Sequence, residues 1–223
     1  MITKQNFLFT QRVWLWPILA MLLITPWTPA LDLAVSHYFY QGGHQFSSYP
    51  LFTFVFKYGF LYSKVLIGIA LFFLMISCLF AKYRAWRPAA IVFLLVVAIG
   101  AGGISHLIFK DHWGRPRPVQ VIEFGGKQEF RPYYKPNFFN SPEPSKSFPC
   151  GHCTMGFCFF ALALVGRRFN NRALFWVGLA LALSLGGLLS LARIAQGGHF
   201  LSDTLMTALI MWLTSYLCVK WIT

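Results

Sequence analysis

Six apolar stretches, at residues 13–31, 63–80, 88–109, 152–165, 173–191 and 200–221, leave this chain few folds to choose from. Most reach or approach the ~20 residues that a helix needs to cross about 30 Å of hydrocarbon. In lipid a run of this length has to satisfy its backbone hydrogen bonds within itself, which selects the α-helix. Hydrophobic residues make up 57% of the chain and charged residues 11%, against roughly 25% charged in an ordinary soluble domain, too few to cover a water-facing surface. The expected fold is therefore all-α, a polytopic six-transmembrane-helix bundle forming a single domain over residues 1–223. The fourth stretch is short and opens on Gly151 and His152, so it is expected to begin in the interfacial zone. Lys57 and Lys64 make the approach to the second stretch amphipathic, and residues 50–60 read as an interfacial helix. The first stretch also resembles a secretory signal, but Trp14, Trp16, Pro17, Pro26 and Pro29 favour a retained span.

The basic residues orient the bundle. With the amino terminus in the cytoplasm, the inner face receives Lys4, Arg12, Lys82, Arg84, Arg87, Arg167, Arg168, Arg172 and Lys220, and not one acid. All six acids (Asp32, Asp111, Glu123, Glu129, Glu143 and Asp203) fall on the other side, together with the long segment 110–149. The formal net charge of +13 reads as attraction to anionic head groups, so the lipid bilayer is the expected partner. No nucleic-acid motif competes for these charges, and no obligatory protein partner is inferred. Cys78, Cys158 and Cys218 lie in apolar runs and are expected in the core. The paired glycines 102–103 and 186–187 are expected to let helices pack closely. His37, His44 and His106 are read as structural. No Cys/His pair has zinc-ligand spacing with a plausible partner set, and no cofactor is expected.

Three polar segments land on the outer face. The first runs from Lys110 through Arg115-Pro116 to Arg117-Pro118, and the second is Pro149-Cys150-Gly151-His152. The third begins at Arg193, passes Gly197-Gly198-His199, and ends at Asp203. A phosphoryl-transfer site needs cations on the oxygens, a nucleophile in line with the leaving group and an acid to protonate it. Lys110, Arg117 and Arg193 supply the cations, Arg by bidentate grip and Lys as a point charge. His152 and His199 supply an acid and a nucleophile. A helix beginning near Gly198 would put His199 and Asp203 on one face, where the carboxylate fixes the imidazole tautomer. Gly197 and Gly198 would clear space for substrate. Gly151 and His152 at a helix start would offer free amides to an anion. Loop 119–147, with six aromatics and four lysines or arginines, suits a bulky anionic head group or serves as a solvated cap.

These segments resemble the signature of the type-2 phosphatidic acid phosphatase superfamily: Lys-x6-Arg-Pro, then Pro-Ser-Gly-His, then Ser-Arg-x5-His-x3-Asp. Lys110 with Arg117-Pro118 fits the first motif, and Arg115-Pro116 has the wrong spacing. Arg193, His199 and Asp203 fit the third. The resemblance implies metal-independent hydrolysis of a lipid phosphate ester through a phosphohistidine. His199 would be the nucleophile, His152 the leaving-group acid and Asp203 the orienter of His199. Lys110, Arg117, Arg193, Cys150 and Gly151 would bind the phosphate. Two departures stand out: Cys150 replaces the family's serine, and Ala192 replaces the serine before Arg193. A thiol is a weaker donor, so either backbone amides carry more of the binding or activity requires reduced Cys150.

Within the superfamily the strings are most similar to bacterial lipid A phosphatases, the 4′-phosphatase type among them. A phosphatidylglycerophosphate or undecaprenyl pyrophosphate phosphatase and a lipid phosphotransferase are the alternatives. The expected location is the inner membrane, with the active site facing the periplasm and a phospholipid or glycolipid as substrate. Cys150-x-x-Cys153 also supports a rival from another class, a membrane thiol-disulfide oxidoreductase. That rival leaves Lys110, Arg117, Arg193 and His199 without a role. A lipid-binding protein or transporter that only holds phosphate would have no use for an oriented imidazole.

Overall fold

The structure, a computed structural model, describes residues 12–47, 49–138 and 145–222, so Lys4 and Glu143 of the charge count lie outside the described residues. Helix α1 (Leu15–Ile24) passes through a 3-10 turn (Thr25–Trp27) into α2 (Thr28–Phe39). Pro26 and Pro29 explain the change of winding, because neither carries an N–H for the regular helical ladder. A hairpin of β1 (Tyr40–Gly42) and β2 (Gln45–Phe46) follows. Helix α3 (Pro50–Leu79) then runs unbroken for 30 residues, about 45 Å. Residues 50–60 are thus not a separate interfacial helix but the extension of a span.

Beyond a 3-10 turn (Ala81–Trp86), α4 (Arg87–Leu95) widens into a π-helix (Val96–Lys110) that ends on Lys110. Two short helices, α5 (Thr154–Phe157) and α6 (Phe160–Arg168), precede the long α7 (Arg172–Ala195) and α8 (Leu201–Ile222). Among the described residues five helical segments are long and apolar enough to cross a membrane: Leu15–Phe39, Leu61–Leu79, Ala81–Lys110, Arg172–Ala195 and Leu201–Ile222. The expected sixth, residues 152–165, is carried by the two short helices α5 and α6, neither of which alone is long enough to be counted, and neighbouring helices enclose it. Ala161 and Ala163 are fully buried there. Leu23, Leu107 and Trp176 are 72%, 71% and 63% exposed, a surface that lipid rather than water suits. The chain is an all-α, multi-pass membrane protein.

Glycine sets how closely α5–α6 approaches α7. A Cβ on Gly156 would strike the backbone at Gly186, one on Gly178 the backbone at Ala163, and one on Gly186 the Phe157 ring. Close packing of this kind is how helices associate where lipid removes the hydrophobic driving force. The expectation therefore holds for Gly186. It fails for Gly187, which faces open space, and for Gly102 and Gly103, whose nearest neighbours are their own helix's carbonyls; Gly100, against Met211 and Thr214, does that work. Cys158 and Cys218 are buried as expected, whereas Cys78 is exposed. Substituting Gly156→Leu should lower stability by about 1–3 kcal/mol. Gly187→Ala, with nothing to strike, should leave it within about 0.5 kcal/mol of the parent, both measured by thermal unfolding in detergent.

Candidate active site

At the end of α7 the chain reverses through a paired-bond cap. The Gly198 amide donates to the Arg193 carbonyl at 2.9 Å and the Gly197 amide to the Ile194 carbonyl at 2.9 Å, with Gly197 left-handed at φ +64°. This is the Schellman arrangement, and the left-handed position requires glycine. Gly197 therefore packs on Phe46 and Val119 rather than clearing a path for substrate. Gly198 makes room for the Arg193 guanidinium, which a Cβ would strike. Helix α8 starts at Leu201, so His199 precedes it and does not share a helical face with Asp203. The two still meet: His199 Nδ1 lies 3.6 Å from Asp203 Oδ2, both residues essentially buried. That oxygen also accepts hydrogen bonds from Ser147 Oγ at 2.6 Å and from the Phe200 amide at 2.9 Å.

Arg193 donates through Nη1 to Gln196 Oε1 at 2.7 Å, and its guanidinium lies 4.4 Å from the Phe56 ring centroid. The other side of the same neighbourhood is His152, whose ring stands 4.9 Å from Phe56. Gly59, one turn along α3, brings that helix against His152, as a Cβ there would lie 3.4 Å from the imidazole Cδ2. Phe56 thus unites the second and third motifs. Lys110 reaches the same region from the π-helix and donates through Nζ to the Lys146 and Pro149 carbonyls, each at 3.3 Å. Its closest charged neighbours include Arg117, Asp203 and Arg193. The Nε–H groups of Arg117 and Arg193 are buried and have no hydrogen-bond acceptor among the described residues. Buried guanidinium donors left in that condition are costly, and an anionic oxygen would satisfy them.

The electrostatics record the convergence. Burial, then Arg193, Lys110 and Arg117, lower the His152 pKa to about 4. Burial lowers that of His199 to about 3, with Asp203 pulling the other way and Lys110 and Arg193 adding to the fall. Both imidazoles are therefore neutral near pH 7, the state a nucleophilic nitrogen needs.

The second motif departs from expectation. Residues 151–153 form a turn and α5, which begins only at Thr154, is four residues long, so Gly151 and His152 precede the helix rather than lying in its first turn. Pro149 follows a cis peptide bond and lies five positions ahead of α5. Gly151 packs beside His106, whose Nε2 a Cβ would meet at 3.1 Å. Cys150 forms a disulfide with Cys153, and its amide donates to Thr207 Oγ1 at 2.9 Å. With both groups engaged and the residue fully buried, Cys150 has no donor left for phosphate and no thiol of its own to be kept reduced. Both sulfurs are sealed in the core, which gives thiol exchange no access.

Arg115 is the residue that sequence spacing set aside and the fold places centrally. It is 1% exposed and joins Asp32, Ser202 and Asp203 by hydrogen bonds of 2.7, 2.9 and 2.5 Å. Asp32 carried a signal of its own, as an acid at the edge of an apolar run. Phe56 carried none beyond its aromatic ring. His112 is exposed, with its ring against the Ile108 carbonyl.

The family model of the PAP2 superfamily matches residues 90–223. Among known proteins the chain is 34% identical over 193 residues to a lipid A 4′-phosphatase of Francisella tularensis subsp. novicida, covering 84% of each chain. It is 29% identical over 136 residues to one of Rhizobium leguminosarum, covering 60% of this chain and 54% of that one. A third, from Rhizobium etli, is 32% identical over 136 residues, covering 60% and 49%. No solved structure matches the chain. The match spans all three motifs, and the residues those motifs name converge in the fold: the chain belongs to the PAP2 superfamily, as the sequence resemblance implied.

Proposed function

We propose that this protein is a lipid phosphatase that removes a phosphate from lipid A, at the 4′ position, through a phosphohistidine on His199. The observation that carries the chemistry is the convergence of Lys110, Arg117 and Arg193 on two neutral imidazoles, the half-buried His152 and the buried His199, the latter backed by a buried carboxylate. The relatives named lipid A 4′-phosphatase support the choice of substrate.

The reaction follows from the placement. The cations cradle the phosphate oxygens, and the buried Nε–H groups of Arg117 and Arg193 gain acceptors. The His199 Nε2 lone pair attacks phosphorus while the bond to the lipid oxygen breaks. His152, protonated in the complex, gives that oxygen its proton. Asp203 stabilises the cationic phosphohistidine through the Nδ1 side of the ring. Water then attacks the phosphohistidine with His152 as base, releasing inorganic phosphate and restoring both imidazoles. The basic residues that gather at the other ends of the spans support placing the site at the periplasmic face of the inner membrane. The acyl chains would stay in the bilayer while the phosphate enters from the side. Burial of both cysteines speaks against the oxidoreductase alternative.

The decisive assay is phosphate release by the purified chain in detergent from lipid A, phosphatidylglycerophosphate and undecaprenyl pyrophosphate in parallel. Lipid A should be preferred and lose its 4′-phosphate. Preference for either other lipid would overturn the substrate, and wild-type turnover by His199→Ala the mechanism; the expected loss is at least about 1,000-fold. A phosphate dianion brings negative charge beside His152 and favours its protonated form. The alkaline limb of the kcat profile should therefore lie at higher pH than that of kcat/KM, and coincident limbs would count against His152 as the acid. Arg193→Lys loses the fork and the Phe56 stack, so the inhibition constant for inorganic phosphate should rise about 10- to 100-fold.

A further inference from the structure

Behind Asp203 lies a buried set of charges that the phosphatase motifs do not include. Arg115 donates from Nη1 to Asp203 Oδ1 at 2.5 Å and to Ser202 Oγ at 2.9 Å, from Nη2 to Asp32 Oδ2 at 2.7 Å, and from Nε to the Arg131 carbonyl at 2.8 Å. Asp32, on α2, accepts from the Ser202 amide through Oδ1 at 2.7 Å and from Ser202 Oγ through Oδ2 at 2.6 Å. The Phe200 ring lies 4.5 Å from the guanidinium. Asp32, Ser202 and Asp203 are fully buried. The set therefore spans the first membrane segment, the loop of the first motif and the start of the last helix.

Two features set it apart from a structural clasp. First, its charges do not cancel: two carboxylates share one guanidinium, leaving a net charge of −1 behind His199. Second, its bonds divide the two oxygens of Asp203. Arg115 takes Oδ1, while Oδ2, held by Ser147 and Phe200, is the oxygen that faces His199 Nδ1. The other charged groups acting on His199 are the cations Lys110 and Arg193, so Asp203 supplies the negative charge at the imidazole, and Asp32 lies beyond it on Arg115.

We infer that Asp32 and Arg115 are positioning residues for the phosphatase reaction: Arg115 fixes Asp203 with one oxygen toward His199, and Asp32 takes up enough of the Arg115 charge to leave Asp203 effective against a cationic phosphohistidine. Without Asp32 the whole guanidinium charge would fall on Asp203 and cancel it. This inference rests on the function proposed above.

The test uses the full-length purified chain in detergent and the panel lipid that the wild type hydrolyses best. Failure of the wild type to hydrolyse any of the panel would sink the phosphatase reading itself and is seen before any variant is made. Asp32→Asn, which keeps shape and one acceptor, should lower kcat about 10- to 100-fold with KM within about twofold of wild type. Asp32→Glu should recover part of the loss, and Asp32→Asn combined with Asp203→Asn should be no slower than Asp203→Asn alone. Wild-type kcat in Asp32→Asn, or losses that multiply in the double variant, would overturn the inference. Should Asp32→Asn not yield a monodisperse protein, Ser202→Ala decides, because it removes the hydroxyl between Arg115 and Asp32 without changing charge. A lower kcat at unchanged KM supports the inference, and wild-type kcat overturns it.

Discussion

The architecture depends on a guanidinium placed where no water can solvate it. Arg115 is almost fully buried and carries a permanent charge, so its surroundings have to supply acceptors and countercharge. They come from residues 83 and 88 positions away in sequence, Asp32 and Asp203, and from the Ser202 hydroxyl and Arg131 carbonyl. A buried pair of this kind contributes modest net stability, but removing one partner strands a charge, at a cost of about 3–5 kcal/mol. That asymmetry confers specificity of arrangement. The first span, the outer loop and the last helix can come together in few other ways without leaving Arg115 or an aspartate uncompensated.

The sequence disclosed the residues of the proposed site more readily than those that hold them. Lys110, Arg117, His152, Arg193, His199 and Asp203 were legible because phosphoryl transfer calls for cations and imidazoles, and because those residues sit in short strings of fixed spacing. Arg115 was not legible, since its partners lie far along the chain and nothing in the loop tells a buried guanidinium from an interfacial anchor. Asp32 was hidden by the hydropathy boundary. An apolar run drawn to end before the acid puts Asp32 outside the span, whereas α2 continues to Phe39 and turns its carboxylate inward. Expecting an acid to mark the end of a membrane helix fails where the acid has a buried cation to meet.

The fourth apolar stretch illustrates a second limit. Its composition is that of a short span, but α5 and α6 are separated by a break, and the turn at 151–153 is closed by the Cys150–Cys153 disulfide and tied to α8 by the Cys150 amide and Thr207. Hydropathy measures what a segment can dissolve in, not whether it stays straight. Here Gly156 admits α7 closely, and the turn before α5 places His152 against the same Phe56 ring that Arg193 meets. Cys150, which stands where the resembled motif has serine, closes this turn through its disulfide and its amide.

The two imidazoles, indistinguishable as sequence letters, differ in what stands behind them. Burial and the shared cations Lys110 and Arg193 keep both neutral. His199 has a carboxylate on its Nδ1 side at 3.6 Å, and behind that carboxylate a set with surplus negative charge. A ring so backed tolerates the positive charge that bonding to phosphorus creates. His152 has instead the face of Phe56 at 4.9 Å and the glycine surface of α3. Burial and the neighbouring cations Arg193, Lys110 and Arg117 disfavour a lasting positive charge there, so a proton taken up when the anionic phosphate arrives is readily given away to the leaving oxygen. Environments that push two like groups apart are what assign a nucleophile and an acid to otherwise equivalent residues. On that ground the division of labour proposed for His199 and His152 follows from their neighbours, independently of the order in which the motifs occur.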